Sequence, residues 1–227
     1  MASPIYRLSV VRKSASLRIP LNTLKRTEGN QYMPIDAESI KALRERTGAG
    51  VLDCKNALDK TGGDFDKAAE ILRKKGYHVA EKKGTRATNE GRVGSYIHFN
   101  GKIGVLVEVN CETDFVARNE LVEQLLKDLS MQIAATSPMA VSKENIPAAV
   151  LEAKKEEFKR AAVDKPAQIV DKIVQGKLEA FYKEKCLLEQ QFIKDENQTI
   201  RDIVTASIAK LGENIRINRF ARFEVGQ

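Results

Sequence analysis

Cys54, Cys111 and Cys186 are the only thiols in this 227-residue sequence, and they stand far apart. No CxxC pair occurs, and an odd count argues against a secreted disulfide framework, so reduced thiols are expected. His78 and His98 are too few and too isolated to propose a zinc site. The phosphate cradle GxxxxGK[ST], a GxGxxG after a strand, HExxH and GxSxG are all absent. Thr47-Gly48-Ala49-Gly50 has two glycines, but it joins two helical patterns and reads as a tight interhelical turn rather than a nucleotide loop. A catalytic thiol assembled by folding stays open as an alternative. The expectation is otherwise no enzyme, no catalytic residue, no metal and no cofactor.

The segment Asn110-Cys111-Glu112-Thr113-Asp114-Phe115-Val116-Ala117-Arg118-Asn119 is the unusual one. Thr113 stands where a helix cap belongs, and Asp114 then meets the positive end of the helix dipole. An aromatic in the first turn of a helix sits at a protruding corner. Phe115 can fold back as a core anchor or project as a wedge into a partner; residue type alone does not choose.

The elements that must position this corner follow from periodicity and punctuation. Ile35, Ile40 and Leu43 mark a first helix that stops at Thr47-Gly48-Ala49-Gly50. Asp53 can cap a second, broken by Gly62-Gly63, and Asp64 a third that stops at Gly76. Residues 81–91 are polar and read as a linker. Residues 92–99 and 102–109 flank Asn100-Gly101, a two-residue hairpin signal, with Ile103, Val105, Val107 and Val109 alternating in period two. A long helix is expected from about Asp114, with Leu121, Leu125, Leu129 and Ile133 inward. Helices over 148–163 and 167–185, a strand over 187–194, a turn at 195–197, a helix over 199–211 and a strand over 215–225 complete the pattern. The fold class is α+β: a three-helix bundle over 33–80 and an α+β core over 92–227 with antiparallel strands.

Charge is unevenly placed. The formal net charge is +7, but six bases against one acid put +5 on residues 1–32, leaving a near-neutral body. A nucleic-acid binder needs a basic face, so no direct nucleic-acid contact is expected. No apolar run approaches the roughly 20 residues that span a bilayer, so no membrane is expected. Residues 1–32 resemble a transit peptide in composition or an extended start ahead of Met33, and too few apolar side chains are present to order them.

The strings TDFVARN, VEVNCETDFVA, IKALRERTGAGVLDCKNAL and LGENIRINRF resemble, in order, the translation elongation factor Ts family. The resemblance covers the chain from Met33 to Gly226. It implies that the bundle is ubiquitin-associated-like. It also implies a non-enzymatic guanine-nucleotide exchange factor acting on the GTPase elongation factor Tu in the cytoplasm. Such a factor binds Tu with GDP, inserts the TDFV corner, dislodges Mg²⁺, releases GDP and is displaced when GTP binds. Matching positions carry the partner contacts: Lys41 and Arg44 on the first helix, Val51 and Leu52 after TGAG, and Thr113, Asp114, Phe115 and Val116. Lys41 and Arg44 also fit a plain solvated helix face. Val51 and Leu52 stand where the family commonly has Met-Met, and they also fit a plug in the bundle core. Short members of the family imply a homodimer through the core strands, the α+β core serving as dimerisation domain. The rival readings are a passive binding module and an RNA-binding protein led by the basic segment.

Overall fold

The structure is a computed structural model and describes residues 35–162 and 166–226. The expectation for residues 1–32 lies outside the described residues. Asp36 opens the first helix, its side chain accepting the Ser39 amide at 2.7 Å, as an N-cap acid should. Helix α1 (Ala37–Thr47) ends where Gly48 turns left-handed at φ 66°. Helix α2 (Val51–Thr61) is capped by Gly50, not Asp53. Asp53 lies one turn inside and instead takes the Lys75 ammonium at 2.5 Å. Asp64 caps helix α3 (Phe65–Lys83). Leu43, Cys54, Ala57, Leu58, Ala68 and Leu72 fill the small core among these helices.

Helix α3 does not stop at Gly76. It runs through to Lys83, so residues 81–83 are its last turn rather than linker. Gly76 faces α8: a Cβ on it would stand 3.4 Å from the Thr205 methyl, an ordinary van der Waals contact. A glycine inside a helix costs only about 1 kcal/mol relative to alanine, so a helix with this buried stripe runs through it.

Strand β1 (Glu90–Ile97) pairs antiparallel with β2 (Ile103–Cys111), from Glu90 opposite Cys111 to Ile97 opposite Gly104. The connection is longer than a two-residue turn. The His98 amide bonds the Ile103 carbonyl, the Gly101 amide bonds the His98 carbonyl, and only Gly101 has positive φ, at 68°. Val105, Val107, Val109 and Cys111 all point inward and are buried. The helix expected from Asp114 is two helices, α4 (Asp114–Ala117) and α5 (Glu120–Thr136). Asn119 is extended at ψ 142° and caps anew, accepting the Leu121 amide, so the first helix cannot run through it. The restart rotates the buried stripe to Val122, Leu125, Leu126, Leu129 and Ile133, and leaves Leu121 exposed.

Helices α6 (Ala148–Arg160) and α7 (Ala167–Lys185) form an antiparallel pair around Phe158, Phe181 and Tyr182. The strand expected over 187–194 is a 3₁₀ turn followed by β3 (Gln191–Phe192). Residues expected as a turn at 195–197 begin β4 (Asp195–Thr199), whose hairpin with β3 turns at Ile193-Lys194. Buried Gln132 holds that hairpin, donating to the Gln191 carbonyl and accepting the Ile193 amide. Helix α8 (Ile200–Leu211) and strand β5 (Ile215–Glu224) close the chain. The main sheet has the order β1-β2-β5, all antiparallel, so the class is α+β. One face lies against α5, where a Cβ on Gly94 would stand 2.8 Å from Leu126. The other face leaves Val93, Ile97, Leu106 and Phe223 exposed.

One carboxylate both starts α8 and holds the bundle on the core. Asp202 accepts the Thr199 amide at 2.9 Å and its hydroxyl at 2.7 Å, a capping box. Its other oxygen accepts the Tyr77 hydroxyl of α3 at 2.7 Å, and Arg73 lies 3.6 Å away. Burial alone would raise the Asp202 pKa. The Thr199 and Tyr77 hydrogen bonds and the Arg73 charge outweigh it, and the pKa lies below its ordinary value of 3.8. Tyr77 is pushed up to about 12 by burial and by its bond to this carboxylate. A folded pKa below the unfolded one contributes stability that is present above the unfolded value and lost as pH falls through the folded one. Asp202→Asn is therefore expected to lower the melting temperature at pH 7. The deficit should shrink as the pH is taken below about 4, in a series of thermal melts followed by circular dichroism.

Candidate partner-binding site

The corner after β2 is built by two caps six residues apart. Thr113 is extended at φ −129°, and its hydroxyl accepts the Val116 amide at 3.3 Å. Asp114 occupies the first turn and takes Arg118 at 2.9 Å, an i,i+4 pair. Helix α4 is only four residues long. A helix so short does not hold itself together, so its place depends on what surrounds it. Val116 and Ala117 are buried in the main core beneath it. Phe115 is 79% exposed and points away from that core. The core-anchor alternative is thereby removed: the neighbours anchor the corner, and the aromatic projects from it.

A second loop holds the corner from the side. Gly212 ends α8 left-handed at φ 73°, which turns the chain back toward the corner. The Glu213 carboxylate accepts the Thr113 amide at 3.1 Å and the Thr113 hydroxyl at 2.7 Å. In return the Glu112 carboxylate accepts the Asn214 amide at 2.7 Å. That bond, with Arg86 beside it, holds the Glu112 carboxyl below its ordinary pKa against the small opposing effect of burial. Asn214 is buried and donates its side-chain amide to the Gly84 and Arg86 carbonyls. Sequence reasoning missed Glu112, Glu213 and Asn214. The one available signal was that LGEN follows a helix and precedes a strand, and that signal does not name the loop it binds.

The remaining expected contact residues lie on α1 and α2. Lys41 and Arg44 are both exposed, one turn apart on α1, and Lys41 makes only a loose 4.0 Å contact with Glu45. Val51 and Leu52 are 53% and 70% exposed in the first turn of α2. They do not plug the bundle, whose core takes Cys54 and Leu58 from that helix instead. Gly48, between the two pairs, lies against the Lys210 stem, and a Cβ there would fall 1.6 Å from Lys210 Cε. Lys210 lies in the last turn of α8, two residues before Gly212. The end of α8 and the residues just after it thus touch both loops: Lys210 lies against Gly48, and Glu213 holds Thr113.

The cysteines lie beneath the surface, Cys111 donating its thiol to the Thr113 carbonyl at 3.1 Å. All three are buried, and burial raises each thiol pKa, that of Cys186 to about 11. A nucleophilic cysteine needs a lowered pKa and access, and these have neither. Among the described residues no helix is long and apolar enough to cross a membrane.

Comparison with known proteins agrees with this architecture. A family model described as Elongation factor TS matches residues 65–227. A protein of Fervidobacterium nodosum named elongation factor Ts is 54% identical over 197 residues, covering 86% of this chain and 100% of that protein. Its namesake in Caldanaerobacter subterraneus is 56% identical over 195 residues, covering 85% of this chain and 98% of that protein. The Thermotoga maritima namesake is 52% identical over 195 residues, with coverage of 86% and 98%. On a match that spans most of its length and includes both the corner and the loop that holds it, this chain belongs to the elongation factor Ts family.

Proposed function

We propose that this protein releases GDP from elongation factor Tu by inserting the Phe115 corner into it, while Lys41, Arg44, Val51 and Leu52 hold the partner at the bundle. The observation that carries this reading is the contrast within α4. Val116 and Ala117 are buried and fix the turn, while Phe115 between Asp114 and Val116 is 79% exposed. Exposing a large aromatic on a fixed corner gains nothing for the free protein. Burying it in a partner contributes about 1.5–3 kcal/mol.

An exchange factor breaks no covalent bond. It must bind the nucleotide-free partner better than the nucleotide-bound one. A wedge that fits only when the partner's helices part meets that requirement. Displacing those helices also moves the ligands of the partner's Mg²⁺, and phosphates without their counter-ion bind less tightly. Linkage then makes returning GTP or GDP weaken the factor to the same degree, and the factor leaves. Thr113 and Asp114 shape the corner, and Val116 seats it. The reading places the protein in the cytoplasm with translation elongation and involves no nucleic-acid contact. It also includes a homodimer, supported by the apolar outer face of the β1-β2-β5 sheet. The test is stopped-flow release of fluorescent GDP from purified Tu. Release should accelerate and saturate with added protein; unchanged release would overturn the reading.

A further inference from the structure

Helix α4 carries the wedge but cannot set its own direction. Four residues close too few hydrogen bonds to be stable alone, and Phe115, largely exposed, makes little contact that would orient it. Burial of Val116 and Ala117 fixes the floor of the turn. What fixes its entry is Thr113, and Thr113 is held by a residue 100 positions away.

The sheet brings the two segments together. Cys111 ends β2 opposite Ile215, which begins β5. The two residues after Cys111 and the two before Ile215 therefore lie side by side. Their carboxylates cross: Glu213 takes the Thr113 amide and hydroxyl, and Glu112 takes the Asn214 amide. Each loop thus caps a backbone donor of the other. The Thr113 hydroxyl donates to Glu213 while accepting from Val116, so its rotamer is fixed from both sides.

We infer that Glu213 is a positioning residue for exchange: by holding Thr113 it keeps the corner ordered before the partner arrives, so that Phe115 enters already aimed. The inference rests on the reading of Phe115 as the wedge. Ordering a loop on binding consumes interaction energy that a preorganised loop keeps. The loss of Glu213 should therefore appear in the release step more than in docking through the bundle. Glu213 itself need not touch the partner.

The experiment uses the full chain, with stopped-flow GDP release from Tu titrated to saturation, for Glu213→Ala, Glu213→Gln, Phe115→Ala and the double variant Glu213→Ala/Phe115→Ala. Glu213→Ala is expected to lower the maximal release rate about tenfold or more, even if only one of its two charge-assisted hydrogen bonds to Thr113 counts toward aiming the corner, with a smaller change in half-saturating concentration. Glu213→Gln, whose amide oxygen still accepts the Thr113 amide, should recover most of the rate. In the Phe115→Ala background the Glu213→Ala change should have almost no further effect, since there is no ring left to aim. A purely structural role would slow both backgrounds alike, and that result overturns the proposal. A normal rate for Glu213→Ala beside a slow Phe115→Ala overturns it while leaving the wedge intact. A normal rate for Phe115→Ala overturns the wedge and this inference together. If Glu213→Ala does not fold, Glu213→Asp, which keeps the charge but shortens the reach, takes its place with the same outcomes.

Discussion

Phe115→Ala is expected to slow maximal GDP release from elongation factor Tu by about tenfold to hundredfold, because about 1.5–3 kcal/mol of ring burial is lost at the release barrier and each 1.4 kcal/mol is tenfold in rate. The fold should not suffer. The ring is 79% exposed, and the core under the corner is made by Val116 and Ala117, which the substitution leaves in place. Exposed substitutions of this kind change stability by about 0.5 kcal/mol or less. The melting temperature is the control that separates a lost wedge from a lost fold. The half-saturating concentration should rise by less than the rate falls, since Val51, Leu52, Lys41 and Arg44, the proposed docking residues, are left in place. Stopped-flow titration measures both quantities. Equal maximal rates for parent and variant would mean that the ring does not act as the wedge.

The corner was legible in the sequence because its signals are local. Thr113, Asp114 and the apolar pair after them lie within four residues, and capping chemistry acts over that range. The inward alternation of β2 was legible for the same reason. Two kinds of feature were not. The first is a second cap hidden inside a good helical pattern. Asn119 restarts the helix and turns its buried face from Leu121 to Val122, but an asparagine in a helix interior looks much the same in sequence. The second is contact between distant segments. Gly76 reads as a stop until Thr205 is seen beside it. Glu213 reads as a surface acid until the β2–β5 register brings it to Thr113. The exposure of Phe115, Val51 and Leu52 likewise depended on which neighbours filled the cores beneath them. Residue type left that open and packing decided it.

Phe223→Glu is expected to convert the proposed homodimer to monomers, with a loss in association of more than about hundredfold. The argument begins with strand register. Ile97, Gly104 and Phe223 form one row across the three strands, and Ser95, Leu106 and Ala221 form the next. All point away from α5, because their odd-numbered neighbours on β2 are the buried ones. Ile97 covers Gly104, where an added Cβ would stand 3.1 Å from its Cδ1. Ile97, Leu106 and Phe223, at 67%, 48% and 67% exposure, therefore make one apolar surface at the hairpin end. The next row of the same face carries the Glu108–Arg219 pair at 2.7 Å beside exposed Val93. A two-fold interface uses the same patch twice, so each substitution acts twice. Losing about 1.5–3 kcal/mol of ring burial per copy gives at least about 3 kcal/mol per dimer, before the cost of facing two carboxylates. At 1.4 kcal/mol per decade, that is more than about hundredfold. Sedimentation velocity over a concentration series measures it. The parent should sediment as a dimer at micromolar concentration and the variant as a monomer with an unchanged circular dichroism spectrum. GDP release per chain should persist in the variant, because Phe115 and the loop that holds it sit at the opposite end of β2, beyond Cys111. A parent that sediments as a monomer throughout the series would remove the sheet face as a dimer interface.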